Sequence, residues 1–425
     1  MNWRRPIPSV ALRSALACAA CLSVPSDAIA QGRTAGAAPL LSDSAIVSVV
    51  TVLPGDRMYS LFGHTIIRVH DPDSGLDVGF NYGTFDFPQT LLGGAGFVAR
   101  FAYGKLDYML GASRAPLDAS AWYWSHEGRA SIEQTLDLTP DQAKSLFALL
   151  VDNSRPENRV YRYDFFFDNC STRPRDVFET ILGPELNVKL EDPDRSFRQL
   201  LDPNLVGHPG VALSMDVGLG QPADREASAR DALFLPEYLM EWLGSATVGT
   251  PGAERQLVSR TDTLTWGPGA GEREPAVPWP TIAGWIIAAG LVLVTIRDRK
   301  AGRGERRWLD GILFGVVGLA GFVLAFLTFV SLHTVTNGNL NLMWAIPTHV
   351  VPAVTLLAGR NPRWLRPYML VTLALAVLFL VGLPVWPQEI PAPVIPFVIG
   401  ICARAVVLAF PPSDSESHAS DDSSR

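Results

Sequence analysis

Cysteine is scarce in this 425-residue chain, and its four copies are poorly placed for cross-linking. Cys18 and Cys21 fall in an apolar N-terminal stretch and Cys402 in a late apolar run, which leaves Cys170 alone in the central region. A disulfide framework is thereby excluded for that region. Charge is also sparse: 18% of residues are charged, the net charge is −7, and no basic stripe is present, which argues against a nucleic-acid partner. No cluster of His, Cys, Asp and Glu has ligand spacing, so neither a metal nor another cofactor is expected. No internal repeat is visible.

What is present divides the chain. Residues 1–30 read as a signal peptide: Arg4, Arg5 and Arg13 precede an apolar stretch from Ser14 to Val24, and Ala28-Ile29-Ala30 offers small residues for cleavage before Gln31. Cleavage at Cys18, after the weak lipobox Leu16-Ala17, and an uncut anchor are the alternatives. Residues 31–245 read as one exported domain and residues 246–278, rich in Gly, Pro and Thr, as a linker. Residues 279–410 hold five apolar segments, at about 279–296, 309–331, 342–358, 368–384 and 392–410, followed by a polar tail at 411–425. The third is short and carries His349 and two prolines, which suits a re-entrant segment. Arg297, Arg299, Lys300, Arg303, Arg306 and Arg307 fill the first loop, and Arg360, Arg363 and Arg366 the third. Positive loops stay cytoplasmic, so the tail is cytoplasmic and the loops around His333–Asn341 and Gln388-Glu389 face the same side as the exported domain.

Within that domain strands are expected at Ile46–Val52, Thr65–Val69, Val78–Phe87, Phe101–Tyr108 and Ala130–Leu136. Thr139-Pro140-Asp141 starts a helix through Val151, and helical spacing of Val177, Phe178, Ile181 and Leu182 follows Cys170. A lone thiol in an oxidising compartment is either buried and inert or used. Use requires access, a base and stabilisation of the thiolate. Asn169 can cap a helix starting near Cys170, and the N–H groups there, Ser171 among them, can lower the thiol pKa or form an oxyanion hole. Pro174, just past a first turn begun at Cys170, makes that helix start irregular. Seven histidines are candidates for the base. His64 and His70 flank the second strand, and His126 lies among Trp122, Trp124 and Glu127. His208 sits in a Pro/Gly loop, His333 and His349 in the apolar part, and His418 in the tail. The spacing does not pair any of them with Cys170.

Three motifs go further. Ser60-Leu61-Phe62-Gly63-His64-Thr65, Asn81-Tyr82-Gly83-Thr84-Phe85-Asp86-Phe87 and Phe165-Phe166-Phe167-Asp168-Asn169-Cys170-Ser171-Thr172-Arg173 resemble the Lnb family in order and content. His333–Pro347 is similar to that family's His- and Asn-rich loop. The resemblance implies an α+β papain-like domain of the permuted NlpC/P60 and lecithin:retinol acyltransferase-like branch, followed by an α-helical membrane domain of about five spans. In that branch the histidine strand precedes the cysteine helix, as His64 precedes Cys170.

The family includes lipoprotein N-acyltransferases, which move a fatty acyl chain from a phospholipid to the N-terminal amine of a diacylated lipoprotein at the bacterial inner membrane. Carried over by position, Cys170 is the nucleophile and His64 the base that keeps it ionised, with Asn81 or Asp86 to orient His64. Tyr82, Tyr163, Arg173, His333, Asn337, Asn339 and Asn341 are the candidates for substrate contact. Two other readings stand beside this one: a cell-wall peptide hydrolase or amidase using the same pair, and a non-catalytic envelope binding or assembly factor.

Overall fold

The computed structural model describes residues 41–85, 90–114, 124–267 and 273–411. Contacts divide the chain into two units, one holding residues up to 194 together with 227–272, the other 195–226 together with 273 onward. The signal-peptide reading, Cys18 and Cys21, Asp86 and most of the polar tail lie outside the described residues.

The first unit is built on a seven-stranded antiparallel sheet. Its strands are β1 (Ile46–Val52), β2 (His64–Asp71), β3 (Leu76–Thr84), β4 (Asp107–Ser113), β5 (Ser131–Leu136), β6 (Val160–Arg162) and β7 (Val258–Thr265), in the order β7-β5-β1-β2-β3-β4-β6. The β-branched run of β1 pairs with β2 from Ile46 opposite His70 to Val52 opposite His64. Alternation along β2 buries Thr65, Ile67, Val69 and Asp71 and turns His64, Ile66, Arg68 and His70 to the other face. Helices α2 (Pro140–Asn153) and α3 (Thr172–Leu182) and the helix Pro236–Ser245 pack Leu146, Phe147, Leu150, Phe178, Leu239 and Leu243 into the core with Ile67, Val69 and Phe80. Thr139 and Gln142 close a reciprocal capping box at the start of α2, as the Thr-Pro-Asp signal implies.

Two expectations are corrected here. Phe101 is not in a strand: it ends helix α1 (Leu91–Tyr103), capped by Thr90 at the start and by Gly104 in a left-handed conformation at the end. Gly93, Gly94 and Gly96 disfavour a helix by propensity, but both end signals and the apolar stripe outweigh them. Nor is 246–278 a linker throughout, because β7 pairs along β5 and makes one edge of the sheet. Threonine, which favours strands, supplies part of the composition that suggests a linker.

The second unit is helical. Helices α4 (Phe197–Leu205) and α5 (Pro209–Gly218) belong to it, although the sequence suggests one domain through residue 245. Three helices, Trp279–Lys300, Arg307–Phe329 and Leu365–Gly382, are long and apolar enough to cross a membrane. Thr334–Met343 and Pro347–Leu357 form a pair bent by 47°, at the segment whose prolines signal a break, and Val394–Ala409 is a shorter apolar helix. Exposed tryptophans mark both ends of these helices, Trp279 at one and Trp308 and Trp364 beside the arginine-rich loops at the other. Arg404 is fully buried and joins three helices: it donates to Asp310 at 2.6 and 2.9 Å and to Asp298 at 3.0 Å, while Arg306 holds Asp298 from its other side at 2.9 Å. Opposite charges in equal number make that burial tolerable.

Candidate active site

Cys170 and His64 are brought together by β2 meeting the start of α3. Thr65, next to His64, donates its backbone N–H to the Cys170 sulfur, as does the N–H of Cys170 itself. The Thr65 and Ser171 hydroxyls stand 3.5 Å apart, which joins the strand to the helix start. Neither Cys170 nor Cys402 is in a disulfide.

Asn169 fixes the turn that presents the thiol. Its Oδ1 accepts from the N–H groups of Ser171 and Thr172 at 2.8 and 3.0 Å, and its Nδ2 donates to the carbonyls of Phe165 and Phe234, each at 2.8 Å. Asn169 thus takes up two N–H groups ahead of the helix, while the residue directly before it, Ser171, makes no side-chain cap. With its N–H engaged by Asn169, Ser171 is not an open oxyanion donor. The donors that do reach the sulfur are those of Thr65 and Cys170. Helical bonds run from the Arg173 N–H to the Asn169 carbonyl and from the Arg175 N–H to the Ser171 carbonyl, each at 3.2 Å. Pro174, without an N–H, leaves the Cys170 carbonyl between them unbonded, so the helix starts irregularly and is regular from Thr172.

His64 is oriented from β3. Its Nε2 lies 2.8 Å from Asn81 Oδ1, which also accepts the backbone N–H of Gly83 at 2.8 Å. A backbone N–H can only donate, so the Asn81 atom there is the oxygen and His64 Nε2 carries the proton. Nδ1 is then the free acceptor, and no hydrogen bond among the described residues engages it. The β2–β3 register, continued past Ile67 opposite Phe80, sets Gly83 across from His64. A Cβ on Gly83 would come within 2.5 Å of His64 Cε1, so the imidazole occupies space that only glycine leaves. The register of β3 against β4 shifts between Asn81 and Thr84, an irregularity of the kind that re-aims side chains beside sites.

Burial sets the protonation states. It pushes the Cys170 thiol up to about 11, against the lowering by the Thr65 and Cys170 N–H groups and by Arg129. It brings His64 down to about 4, opposed by the Asn81 hydrogen bond and assisted by Arg129. Each side chain keeps part of its surface open, so a substrate can reach a pair whose ionising atoms lie deep. Burial thus favours thiol and neutral imidazole over the expected thiolate.

Arg129 is the contributor that sequence reasoning missed. It is buried, donates to the Leu53 carbonyl at 2.9 Å, and stands 3.6 Å from Glu127. The only local signal is the left-handed Gly128 before it. Among the described residues no group of His, Cys, Asp and Glu is arranged to hold a metal.

The other candidates divide. Tyr163 stacks on Tyr108 with centroids 4.1 Å apart, and its hydroxyl is raised well above its ordinary value by burial, then by Tyr108 and by the charge of Cys170, which sets it near the thiol. Tyr82 lies on the opposite face of β3 from Asn81, buried, with its hydroxyl accepting from Asn153 at 3.0 Å. With Arg173, Asp168 and Asp176 it lines a separate polar cleft of about 330 Å³. Arg173 is paired with Asp168 and lies 4.3 Å over the Tyr161 ring.

His333, Asn337, Asn339 and Asn341 all belong to the second unit. Asn339 donates to the Val217 carbonyl at 2.8 Å, and Asn341 donates there too and accepts the Trp344 indole N–H at 3.0 Å. Both amides are buried and hold the loop against the end of α5, leaving Asn337 exposed and His333 half-buried. The approach is close enough that a Cβ on Gly220 would fall 1.9 Å from the Asn337 carbonyl oxygen.

Comparison with known families decides the affiliation. Residues 41–203 match the family model of the Lnb N-terminal periplasmic domain, and residues 272–411 that of the Lnb transmembrane domain. The chain belongs to the Lnb family. It is a membrane protein with a periplasmic domain, the two Lnb parts following in that order. No curated protein and no solved structure matches it. Residues 204–271 lie between the two matches and hold both α5, which belongs to the helical unit, and β7, the last strand of the sheet.

Proposed function

We propose that this Lnb protein is a lipoprotein N-acyltransferase of the bacterial inner membrane, with a papain-like thiol site facing the periplasm. The observation that carries the reading is the Asn81–His64 pair next to Thr65, whose N–H reaches the unpaired thiol of Cys170, in a chain of this family.

The chemistry follows from the protonation states. As Cys170 attacks the ester carbonyl of a phospholipid, its proton passes from Sγ to His64 Nδ1. The imidazolium that forms is steadied by Asn81 at Nε2, and the oxyanion by the N–H groups of Thr65 and Cys170. The C–O bond then breaks, the lysophospholipid oxygen takes the proton from His64, and the acyl group remains on sulfur as a thioester. In the second half the lipoprotein's N-terminal amine attacks that thioester. Its proton passes through Nδ1 to the departing sulfur, leaving an amide and the free thiol.

A cell-wall peptide hydrolase would use the same pair on an amide. The polar cleft between Tyr82, Asp168 and Arg173 is the feature that favours it. One experiment separates the two: mass spectrometry of lipoprotein N-terminal peptides from a conditional mutant that lacks its own N-acyltransferase and carries this protein or its Cys170→Ser form. N-acylated peptides with the intact thiol alone support the acyltransferase. Their absence from cells holding folded protein, with altered cell-wall peptides instead, favours the hydrolase.

A further inference from the structure

Aromatic side chains usually bury most of their surface. In the first unit a connected set of them keeps part of its surface open. Tyr163 stacks on Tyr108 at 4.1 Å, Tyr108 on Phe85 at 4.8 Å, and Phe85 meets Phe97 of α1 at 5.4 Å, while Phe101 of α1 lies 6.5 Å from Tyr163. Four of these rings are half-buried, Tyr108 and Tyr163 against the core, and none is fully enclosed. Phe101 is 40% exposed, and Val98 beside it is 63% exposed. The band starts next to the thiol turn: Asp164 and Asp168 exchange backbone hydrogen bonds at 3.0 Å, which sets Tyr163 close to Asn169 and Cys170.

Helix α1 supplies the outer wall of this band, and its composition is unusual. Over Leu91–Tyr103 it carries one charged side chain, Arg100, and no carboxylate. Gly94, one turn before Phe97 on the same face, and Gly96 are not demanded by packing, because a Cβ at either would meet nothing within 4 Å. Glycine inside a helix costs about 1 kcal/mol relative to alanine. Here it leaves an unfilled strip beside the rings.

We propose that this band, formed by Phe85, Tyr108 and Tyr163 with Phe97, Val98 and Phe101 of α1, seats the hydrocarbon chain of the acyl group that Cys170 takes up. The proposal rests on the acyltransferase reading and adds where the chain lies. A peptide needs main-chain partners along its length, and the outside of a helix offers none. A hydrocarbon chain needs only apolar surface leading away from the reacting carbon, and the band runs from ring to ring and is exposed at Phe101 and Val98. The thiol unit thus carries its own acyl track, and chain length is read on α1.

The test loads the full-length protein in detergent with a phospholipid whose 16-carbon acyl chain ends in a diazirine, without acceptor, and then illuminates it. Cross-links from the thioester-bound chain are expected in the peptide spanning residues 91–103 and in those holding Tyr108 or Tyr163. Loading of Cys170 with cross-links confined to the helices of residues 279–409 overturns the acyl track and leaves the chemistry standing. Failure to load Cys170 at all overturns the acyltransferase reading and this inference with it.

A second measurement uses the ratio of Cys170 acylation rates for 16-carbon and 4-carbon donors. Phe101→Ala removes apolar contact from the long chain alone and is expected to lower that ratio about tenfold. A variant that slows both donors equally, with the ratio unchanged, contradicts the proposal.

Discussion

Two buried histidines in this protein differ in one bond. His349, in the bent segment of the membrane unit, is engaged at both ring nitrogens: Nδ1 lies 2.8 Å from the Tyr368 hydroxyl and Nε2 3.3 Å from the Trp344 carbonyl. His64 is engaged at Nε2 alone among the described residues, by Asn81, and its Nδ1 remains an acceptor. A fully satisfied polar group rigidifies its surroundings, and one left short of satisfaction can take a proton. The same contrast separates Arg404, closed between Asp298 and Asp310, from the thiol pair. Burial alone marks neither kind. The unused valence does.

The comparison breaks most sharply at the thiol. Cys170→Ser is expected to abolish acyl transfer, by at least about 10⁴-fold, with the melting temperature unchanged. Next come the histidines. His64→Ala should cost about 10³-fold in kcat/KM with little change in melting. His349→Ala should instead destabilise the membrane unit by about 1–3 kcal/mol, read as earlier thermal unfolding in detergent. If His349→Ala proved as damaging to chemistry as His64→Ala while leaving melting untouched, the distinction drawn between them would fail.

Asn81→Ala should lower kcat/KM by about 10–100-fold, because the imidazole loses the partner that fixes its tautomer. Gly83→Ala should do comparable harm by pushing the ring away, and a Gly83→Ala protein with full activity would contradict the packing described for it.

The pH dependence sharpens the same point more gently. With His64 as the proposed base and its pKa brought down to about 4, the rate should hold as pH falls through the usual histidine range near 6.5 and drop only as pH approaches 4. On the alkaline side the thiol, raised to about 11, keeps the profile flat through neutrality. A measured acid limb centred near 6.5 would mean that burial does not set the resting state.

Much of this site is legible in the order of the residues. The strand Ile46–Val52 follows from its β-branched residues, the helix after Thr139 from its cap, and Cys170 and His64 from motifs whose order matches a family, with Asn81 one of two candidates to orient His64. Asn169 as an acceptor for N–H groups ahead of the helix follows from local chemistry alone. Other features are hidden because they depend on partners distant in sequence. Arg129 carries no motif, and its effect on both Cys170 and His64 comes from where the sheet puts it. The thiol's raised pKa reflects how deep the turn is set, which a capping signal cannot report. Asn339 and Asn341 read as recognition residues because polar side chains at a membrane edge suggest ligands, yet they bond to Val217 at the end of α5, a contact that spans more than a hundred residues. Helix α1 is masked by its own glycines.

The most direct test of the central claim is intact-mass measurement of the full-length protein incubated with phospholipid and no acceptor. A mass increase of one acyl group, removed by hydroxylamine, mapped to Cys170, slowed in His64→Ala and absent in Cys170→Ser, is the predicted result. A folded protein that consumes phospholipid without acylating Cys170, or that acylates lipoprotein equally well as Cys170→Ser, would contradict the account.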